Sequence, residues 1–115
     1  MKVVKPFDLE PQPVEFNGSV IKGVTIRWLI KKEDGAPNYA MRYFEMEPGA
    51  SIPEHQHPWE HEIYFLKGKC LVTEGEEEVV AEKDTALFIR PNLPHSYKNV
   101  GDEKAVFLCI IPHHE

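Results

Sequence analysis

The chain has few cysteines, no long apolar run and no cluster of basic residues. Two isolated cysteines among 115 residues do not make a disulfide framework. No window approaches the roughly 18 apolar residues that a membrane span requires. The first residues, Met-Lys-Val-Val-Lys-Pro-Phe-Asp, lack the apolar stretch of a secretory signal. We therefore expect a cytoplasmic protein that does not enter a membrane.

The charge balance argues against polyanionic partners. The formal net charge is −6, and without a Lys/Arg cluster the electrostatic footprint of a nucleic-acid or anionic-membrane binder is missing. We expect a small-molecule substrate or ligand instead. A chain of 115 residues is long enough for a core without disulfides or a structural metal, so any bound metal is expected to be functional.

Short β-branched and aromatic runs separated by turn residues indicate an all-β fold. Residues 1–18 are proline-rich, which predicts an arm or edge segment, and residues 19–115 are predicted to form one domain. About eight to ten strands, and no helical periodicity, predict a sandwich or barrel. Two hairpins are expected, one joining 24–30 to 38–46 and one joining 61–67 to 69–73 around Gly68. The run 105–111 is apolar on both faces, which suggests a second sheet or subunit and hence a homodimer.

Four of the six histidines lie at spaced points of two short segments. The first segment reads His55-Gln-His57-Pro-Trp-Glu-His61, and the second begins Pro94-His95. Side chains alternate faces along a strand, so His55 and His57 point the same way, and His61 follows if the strand continues. Imidazoles gathered in an apolar interior need a shared partner. We expect one divalent transition metal per chain, with manganese, iron, copper, nickel and zinc all open.

The histidine segment resembles the first motif of the cupin superfamily. Gly49, His55, His57 and Gly68 match that motif in register. His61 falls where the family usually has a glutamate, and Glu62 fits only a longer gap after His57. We take His61 as the third ligand of this segment and keep Glu62 as the alternative.

The second cupin motif is matched in part. His95 and Asn99 agree with it, whereas Asp84, Arg90 and Asn92 stand where the family commonly has glycine, proline and glycine. The resemblance covers about residues 40–112 and implies a conical jelly-roll barrel with the metal in its wider mouth. It is closest to the small single-domain cupins with four histidines, which implies the metal ligands His55, His57, His61 and His95 and favours manganese, iron or copper.

Several neighbours are candidates for orienting the ligands or meeting a substrate. A metal-bound histidine donates its second ring N–H to a carboxylate, carbonyl or water, which makes Glu54, Glu60 and Glu62 candidates. Either Arg42 or Tyr43 should point inward, and Cys109 lies near the metal if its face lines the barrel. We interpret Trp59 either as part of a pocket wall or as a residue that packs in the core. A frayed tail without metal is expected at His113 and His114.

Three functions are compatible with four neutral histidines. The ion keeps its full +2 charge, and an octahedral ion keeps two open positions. The first hypothesis is a dioxygenase-like oxidoreductase that activates O₂ or peroxide. The second is an isomerase or lyase with a non-redox metal, which needs an inward Glu, Lys or Tyr as general base. The third is a metal-dependent module that binds a small ligand without catalysis.

Overall fold

The computed structural model describes residues 1–113, and within them the chain is built almost entirely of antiparallel strands, which confirms the all-β barrel. Helical structure there is confined to two 3-10 turns, Pro6–Asp8 and Lys32–Asp34. The strands of this part of the chain are β1 (Gln12–Phe16), β2 (Ser19–Ile30), β3 (Tyr39–Met46), β4 (Ser51–His55), β5 (His61–Lys67), β6 (Lys69–Glu74), β7 (Glu77–Glu82), β8 (Ala86–Ile89), β9 (His95–Asn99) and β10 (Ala105–Pro112).

The strands form two sheets that enclose the core. One has six strands in the order β1-β2-β3-β10-β5-β8, and the other has four in the order β4-β9-β6-β7. Phe65, Phe107, Met46 and Cys70 are fully buried between them. Alternation along β5 supplies three of the inward positions, His61, Ile63 and Phe65, and leaves the even-numbered residues outside.

The hairpin predicted between 24–30 and 38–46 is present as β2 and β3. The register places Ile26 opposite Phe44 and Trp28 opposite Arg42, so all four side chains share one face of the sheet. A second hairpin joins β6 to β7 across Gly75. The pairing of β2 with β3 positions Arg42 on the inner wall of the barrel.

The hairpin predicted around Gly68 is wrong. β5 pairs with β10 and β8, whereas β6 pairs with β7 and β9 in the other sheet. Gly68 has φ +85°, and a Cβ built on it would lie 2.6 Å from the Lys104 carbonyl oxygen. Glycine is therefore needed here because the chain crosses between the sheets in close contact with backbone.

The second cupin motif keeps its backbone shape despite its substitutions. Asp84 and Asn92, which stand in glycine positions of the family pattern, have φ +65° and +64°. Aspartate and asparagine tolerate this left-handed conformation better than other side chains. Asp84 also accepts a hydrogen bond from the Tyr64 hydroxyl at 2.9 Å. The turns that precede His95 are thus formed without glycine.

The N-terminal segment contributes an edge strand to the larger sheet. β1 turns back on β2 through Asn17 and Gly18, both with positive φ, as a two-residue hairpin loop requires. Val14 and Phe16 pack against the core cluster. On the outer face of the same sheet, Val4 and Leu9 pack against a small cluster of buried residues, Leu29, Tyr43 and Val106.

The inner and outer faces of β10 have different surroundings. Phe107, Cys109 and Ile111 are buried on the inner face, as the sequence predicts for a strand that lines the barrel. Leu108 and Ile110 are half-buried on the outer face. In the part of the chain described, no helix is long and apolar enough to cross a membrane.

Candidate metal centre

The four clustered histidines come from the ends of strands and from one connection. His55 ends β4 and His95 begins β9, and the two residues are paired across these strands. His61 is the first residue of β5, and His57 lies in the connection between β4 and β5. The four rings converge, but the extended segment assumed by the parity argument ends at His55, so the connection over residues 56–60 brings His57 and His61 to the group.

Three of these rings form a compact group. One ring nitrogen from each of His55, His57 and His95 lies within 4.8 Å of the others. The His61 ring centroid is 4.5 Å from that of His57 and 5.0 Å from that of His95. The three-histidine group is compatible with a metal site, and participation of His61 as a fourth ligand stays a prediction.

Backbone carbonyls orient the three grouped histidines. Nδ1 of His55 lies 2.7 Å from the Pro53 oxygen, Nδ1 of His57 lies 3.3 Å from the Trp59 oxygen, and Nδ1 of His95 lies 3.0 Å from the Leu93 oxygen. A carbonyl can only accept, so each Nδ1 carries the proton. In the neutral ring Nε2 then has a free lone pair, which is the arrangement that metal-bound histidines use.

His95 provides the strongest sign that a cation belongs here. It is 1% exposed, and its Nε2 is buried without a hydrogen-bond partner among the described residues. A buried unpaired acceptor costs about 1–3 kcal/mol. A metal ion beside the neighbouring imidazoles removes that cost, so these residues fit a divalent transition metal.

His61 approaches the group through His57. The two Nε2 atoms are 2.9 Å apart. Nitrogen ligands held about 2.1 Å from one ion are about 3.0 Å apart at a right angle and about 3.4 Å apart at the tetrahedral angle. The observed separation is that of a hydrogen bond and is also compatible with two ligands of one ion, although His61 lies outside the group whose nitrogens are all within 4.8 Å of one another.

Unlike the grouped histidines, His61 has side chains behind its ring. Its Nδ1 lies 3.0 Å from Cys109 Sγ and 3.4 Å from Arg42 Nη2, and Arg42 Nη2 donates to Cys109 Sγ at 2.9 Å. A thiol can donate or accept, so it supports either tautomer of His61. Without metal, His61 Nε2–H can donate to His57. If His61 bound a metal through Nε2, its proton would lie on Nδ1, facing Cys109.

Burial keeps the side chains of His57, His61 and Cys109 neutral. It lowers the pKa of His57 to about 4, assisted by the nearby His95 and His55. Burial, followed by the charge of Arg42, lowers the pKa of His61 to about 2. Burial also raises the pKa of Cys109, opposed by Arg42. At neutral pH His57 and His61 are therefore neutral imidazoles, the form that binds metal, and Cys109 is a thiol rather than a thiolate.

His55, His57 and His61 line a cavity of about 350 Å³ with largely apolar walls. Trp59 stacks on His57 with ring centroids 4.3 Å apart and planes 2° from parallel. Phe16 lies against His55 at 4.7 Å. Trp28 and Phe44 line the same cavity. Such walls suit a flat organic molecule of modest size.

The structure brings some of the predicted neighbours into the cavity and leaves others outside. Arg42 and Cys109 line it. Tyr43 is buried in the outer cluster and contacts Phe7, because it faces the opposite side of β3. Glu62 is exposed on the outer face of β5, on the side away from the histidines.

The expected orienting roles of Glu54 and Glu60 are taken by backbone carbonyls, and both side chains are exposed. The prediction of a frayed tail is wrong for His113. Its backbone N–H donates to the Asn38 carbonyl, and its Nε2 lies 2.7 Å from the Ala36 oxygen. His114 lies outside the described residues.

Sequence reasoning missed three parts of the cavity wall. Tyr97 is buried below His55 and His95, with ring centroids 6.4 and 5.9 Å away. Phe16 reaches the cavity through the β1–β2 hairpin, which the Asn17-Gly18 dipeptide signals. Trp28 follows from its register with Arg42. Nothing in the sequence marks the carbonyls that orient the histidines.

Comparisons with known proteins agree with this geometry. The solved structure of the polyketide cyclase RemF from Streptomyces resistomycificus superimposes with a TM-score of 0.88 and 32% identity, covering 97% of this chain and 79% of that one. The tetracenomycin polyketide synthase protein TcmJ from Streptomyces glaucescens is 33% identical over 84 residues, which is 72% of this chain and 56% of TcmJ. The polyketide synthase protein CurC from Streptomyces cyaneus is 36% identical over 72 residues, 62% of this chain and 47% of CurC.

The chain thus spans about half the length of these two curated relatives. The family model described as a cupin domain matches residues 42–111, which include the four clustered histidines together with Arg42 and Cys109. With well over half of the chain matched, and a barrel that holds the histidines at its mouth, the chain belongs to the cupin family.

Proposed function

We propose that this chain is a metal-dependent cupin enzyme that acts on a flat, oxygen-bearing organic substrate of the polyketide class. The buried, unpartnered Nε2 of His95 beside His55 and His57 is the observation that carries the metal dependence. The aromatic cavity and the similarity to a polyketide cyclase and polyketide synthase proteins support the substrate class.

His55, His57 and His95 would hold the metal, with His61 as the proposed fourth ligand. When bound, a divalent ion supplies Lewis acidity toward carbonyl or enolic oxygens. The carbonyls of Pro53, Trp59 and Leu93 keep the three grouped rings oriented. Trp59 stacks on His57 and Phe16 packs against His55, so an aromatic ring flanks each of these two histidines.

The reaction that we favour is redox-neutral chemistry at an enolised carbonyl, such as ring closure of a poly-β-ketone. Its support is the activity named for RemF, which shares 32% identity over nearly the whole chain. Arg42 lies on the cavity wall, where a guanidinium can stabilise negative charge on an oxygen of the substrate. This reaction corresponds to the isomerase or lyase hypothesis drawn from the sequence.

A metal-dependent oxidoreductase that activates O₂ or peroxide is the second candidate. It is favoured by the shortage of a protein base in the cavity. Among the described residues the one carboxylate of its lining is Glu15, which is exposed, and burial holds the pKa of the Tyr97 phenol well above its usual value. A manganese, iron or copper ion would suit this reaction, whereas zinc would suit the first.

Deuterium exchange and oxygen uptake distinguish the two reactions. Heptane-2,4,6-trione serves as a model poly-β-ketone, incubated in D₂O with zinc-loaded, iron-loaded and metal-free protein. Carbonyl chemistry predicts that the zinc-loaded protein accelerates exchange at the carbons between the carbonyls. Oxygenase chemistry predicts O₂ consumption with iron and no acceleration with zinc. Binding of the trione without either reaction would favour the non-catalytic binding module.

We also propose that the protein is a homodimer formed through the outer face of its larger sheet. Tyr64, Leu66 and Phe88 are 41%, 37% and 58% exposed there, beside half-buried Leu108 and Ile110. A patch of adjacent apolar side chains of this kind is typical of an interaction surface. Light scattering should give twice the mass of the chain and a monomer for the Phe88→Glu variant, whereas a monomeric parent protein would contradict the proposal.

A further inference from the structure

We propose that the cavity is built for an anionic ligand, a conjugated oxyanion such as an enolate or catecholate, and that Arg42 supplies the cationic contact for it. The inference rests on the proposed metal site and specifies the substrate class of that site. It depends on the charges of the cavity rather than on the relatives, whose names do not specify a charge.

Arg42 differs from the other two arginines of the chain in having no anionic partner among the described residues. Arg27 is buried, and it forms an ion pair with Glu45 and donates to the Leu9 carbonyl. Arg90 pairs with Glu74 at 2.7 Å. Arg42 instead has a buried, unpartnered Nε, and its Nη2 contacts only neutral groups.

The surroundings of Arg42 hold its charge without neutralising it. The guanidinium carbon lies 5.0 Å from the Phe44 ring centroid and 5.6 Å from the Trp28 ring centroid, where cation–π attraction operates. These contacts position the guanidinium on the cavity wall. Arg42 is half-buried, and a partly desolvated cation that lacks a counter-ion gains when an anion binds beside it.

A bound metal increases the excess of positive charge. Neutral histidines leave a divalent ion with its full +2 charge, and Arg42 stands behind the ring of His61. Glu15, exposed at the edge of the cavity, is the single carboxylate among the described lining residues. The missing negative charge must then come from the ligand, and oxygen anions meet both a transition metal and a guanidinium.

The walls restrict the shape of this anion. Phe16, Trp28, Phe44 and Trp59 surround a space of about 350 Å³ with aromatic rings. Flat π-systems pack favourably against such rings, whereas inorganic anions leave them uncovered. A conjugated oxyanion satisfies the charge and the shape together. A neutral ketone or ether of the same size would satisfy the shape alone.

The test uses zinc-loaded protein, because zinc has no absorption of its own, and 4-nitrocatechol, whose absorption reports its ionisation. The comparison compound is 1,2-dimethoxy-4-nitrobenzene, which has the same ring and cannot ionise. Affinities for both compounds, and for zinc by competition with a chromogenic chelator, are measured for the parent protein and for Arg42→Lys, Arg42→Gln and Arg42→Met. Arg90→Gln is the control for loss of an arginine that forms an ion pair outside the cavity.

We expect Arg42→Gln and Arg42→Met to bind 4-nitrocatechol at least tenfold more weakly, a change of about 1.4 kcal/mol. Both should bind zinc at least as tightly as the parent, because a like charge has been removed. Arg42→Lys should keep part of the affinity for the anion, and Arg90→Gln should change neither affinity. If Arg42 had a merely structural role, its loss would not lower the affinity for 4-nitrocatechol while leaving the affinity for zinc equal or higher.

Three results would overturn the inference. They are unchanged 4-nitrocatechol affinity in the neutral variants, parallel loss of zinc and anion, or equal affinity of the parent protein for the two compounds. If the neutral variants do not fold, the test is the affinity of the metal-free parent protein for the two compounds. Arg42 alone should still make it bind 4-nitrocatechol more tightly than 1,2-dimethoxy-4-nitrobenzene, and equal affinities would overturn the inference. Failure of the parent protein to bind zinc would instead refute the proposed metal site.

Discussion

The Nε2 atoms of His57 and His61 lie 2.9 Å apart, although one residue belongs to a connection and the other begins β5. Both rings are neutral at physiological pH because burial lowers the pKa of each of them. Either one ring donates a proton to the other, or both lone pairs face a cation between them. If His61 is a ligand, as we propose, metal binding would change the protonation of this contact.

The first prediction concerns the fourth ligand. His61→Ala should weaken metal binding by about tenfold or more, because it removes a nitrogen from the site. Glu62→Ala should leave the affinity unchanged, since that side chain is exposed on the outer face of β5. Competition against a chelator measures both. Unchanged affinity in His61→Ala would leave three histidines as the whole ligand set.

The second prediction separates the metal role of His95 from its packing role. His95→Phe should lower metal affinity by about a hundredfold or more, as loss of a ligand should exceed the 10–100-fold effect of losing a supporting contact. The metal-free variant should be close to the parent in stability, because removal of the unpaired Nε2 offsets the loss of the hydrogen bond from Nδ1 to the Leu93 carbonyl.

The control for His95 is His113→Ala, which removes a histidine that contacts the Ala36 carbonyl outside the cavity. It should bind metal normally. Isothermal titration and urea denaturation of the two variants give the comparison. Normal metal affinity in His95→Phe would contradict the proposed site.

The third prediction is the pH dependence of the metal-free protein. Burial lowers the pKa of His57 from its ordinary value of 6.5 to about 4, and that of His61 to about 2. Between pH 6.5 and 4 the unfolded chain therefore binds more protons than the folded one, and the free energy of unfolding falls as the pH is lowered.

Urea denaturation at pH 7 and pH 5 measures this dependence. A His57→Gln, His61→Gln double variant, which lacks both titrating groups, should show a shallower dependence than the parent. Equal slopes in the two proteins would show that other groups dominate acid sensitivity. In the metal-loaded protein, protons compete with the ion, so the metal should be released on acidification.

The fourth prediction compares two glycines of the first cupin motif. Gly49 and Gly68 both have positive φ, +81° and +85°. A Cβ at Gly49 meets nothing within 4 Å, whereas a Cβ at Gly68 would lie 2.6 Å from the Lys104 oxygen and 2.7 Å from the Ala105 Cα. Gly49→Ala should therefore cost about 1–2 kcal/mol of backbone strain.

Gly68→Ala should cost more than about 3 kcal/mol, because the clash involves backbone that cannot rotate away. Denaturant unfolding of the two variants measures the difference, and Gly49→Ala serves as the control for left-handed strain alone. Equal losses would mean that the crossing between the sheets is not tightly packed at Gly68.

Much of the barrel could be predicted from local patterns. Short alternating runs predict the strands, and the turn residues between 31 and 37 predict the β2–β3 hairpin. The odd numbering of His55, His57 and His61 predicts a common direction from the period of two along a strand, but residues 56–60 are not a strand, so their convergence has another cause. The glycines of the first motif marked positions of positive φ, but not which sheet each flanking strand would join.

Other features depend on contacts between distant residues. The sequence suggests a hairpin at Gly68, yet pairing of β5 with β10 takes precedence, because the barrel closes through partners about forty residues apart. Glutamates near the histidines suggest carboxylate support, yet nearby carbonyls occupy Nδ1 of the three grouped rings. The pairing of Arg42 with Cys109 joins residues at opposite ends of the family match.

By itself, the sequence determined the all-β class and the clustering of histidines in two short segments, because these follow from periodicity and residue spacing. Tertiary structure decided which side chains share the cavity. It left Glu62 and Tyr43 outside, brought Arg42 and Cys109 behind His61, and left the Nε2 of His95 without a partner. The physical reason is that strand register and burial are set by pairing across the whole barrel, which no local pattern encodes.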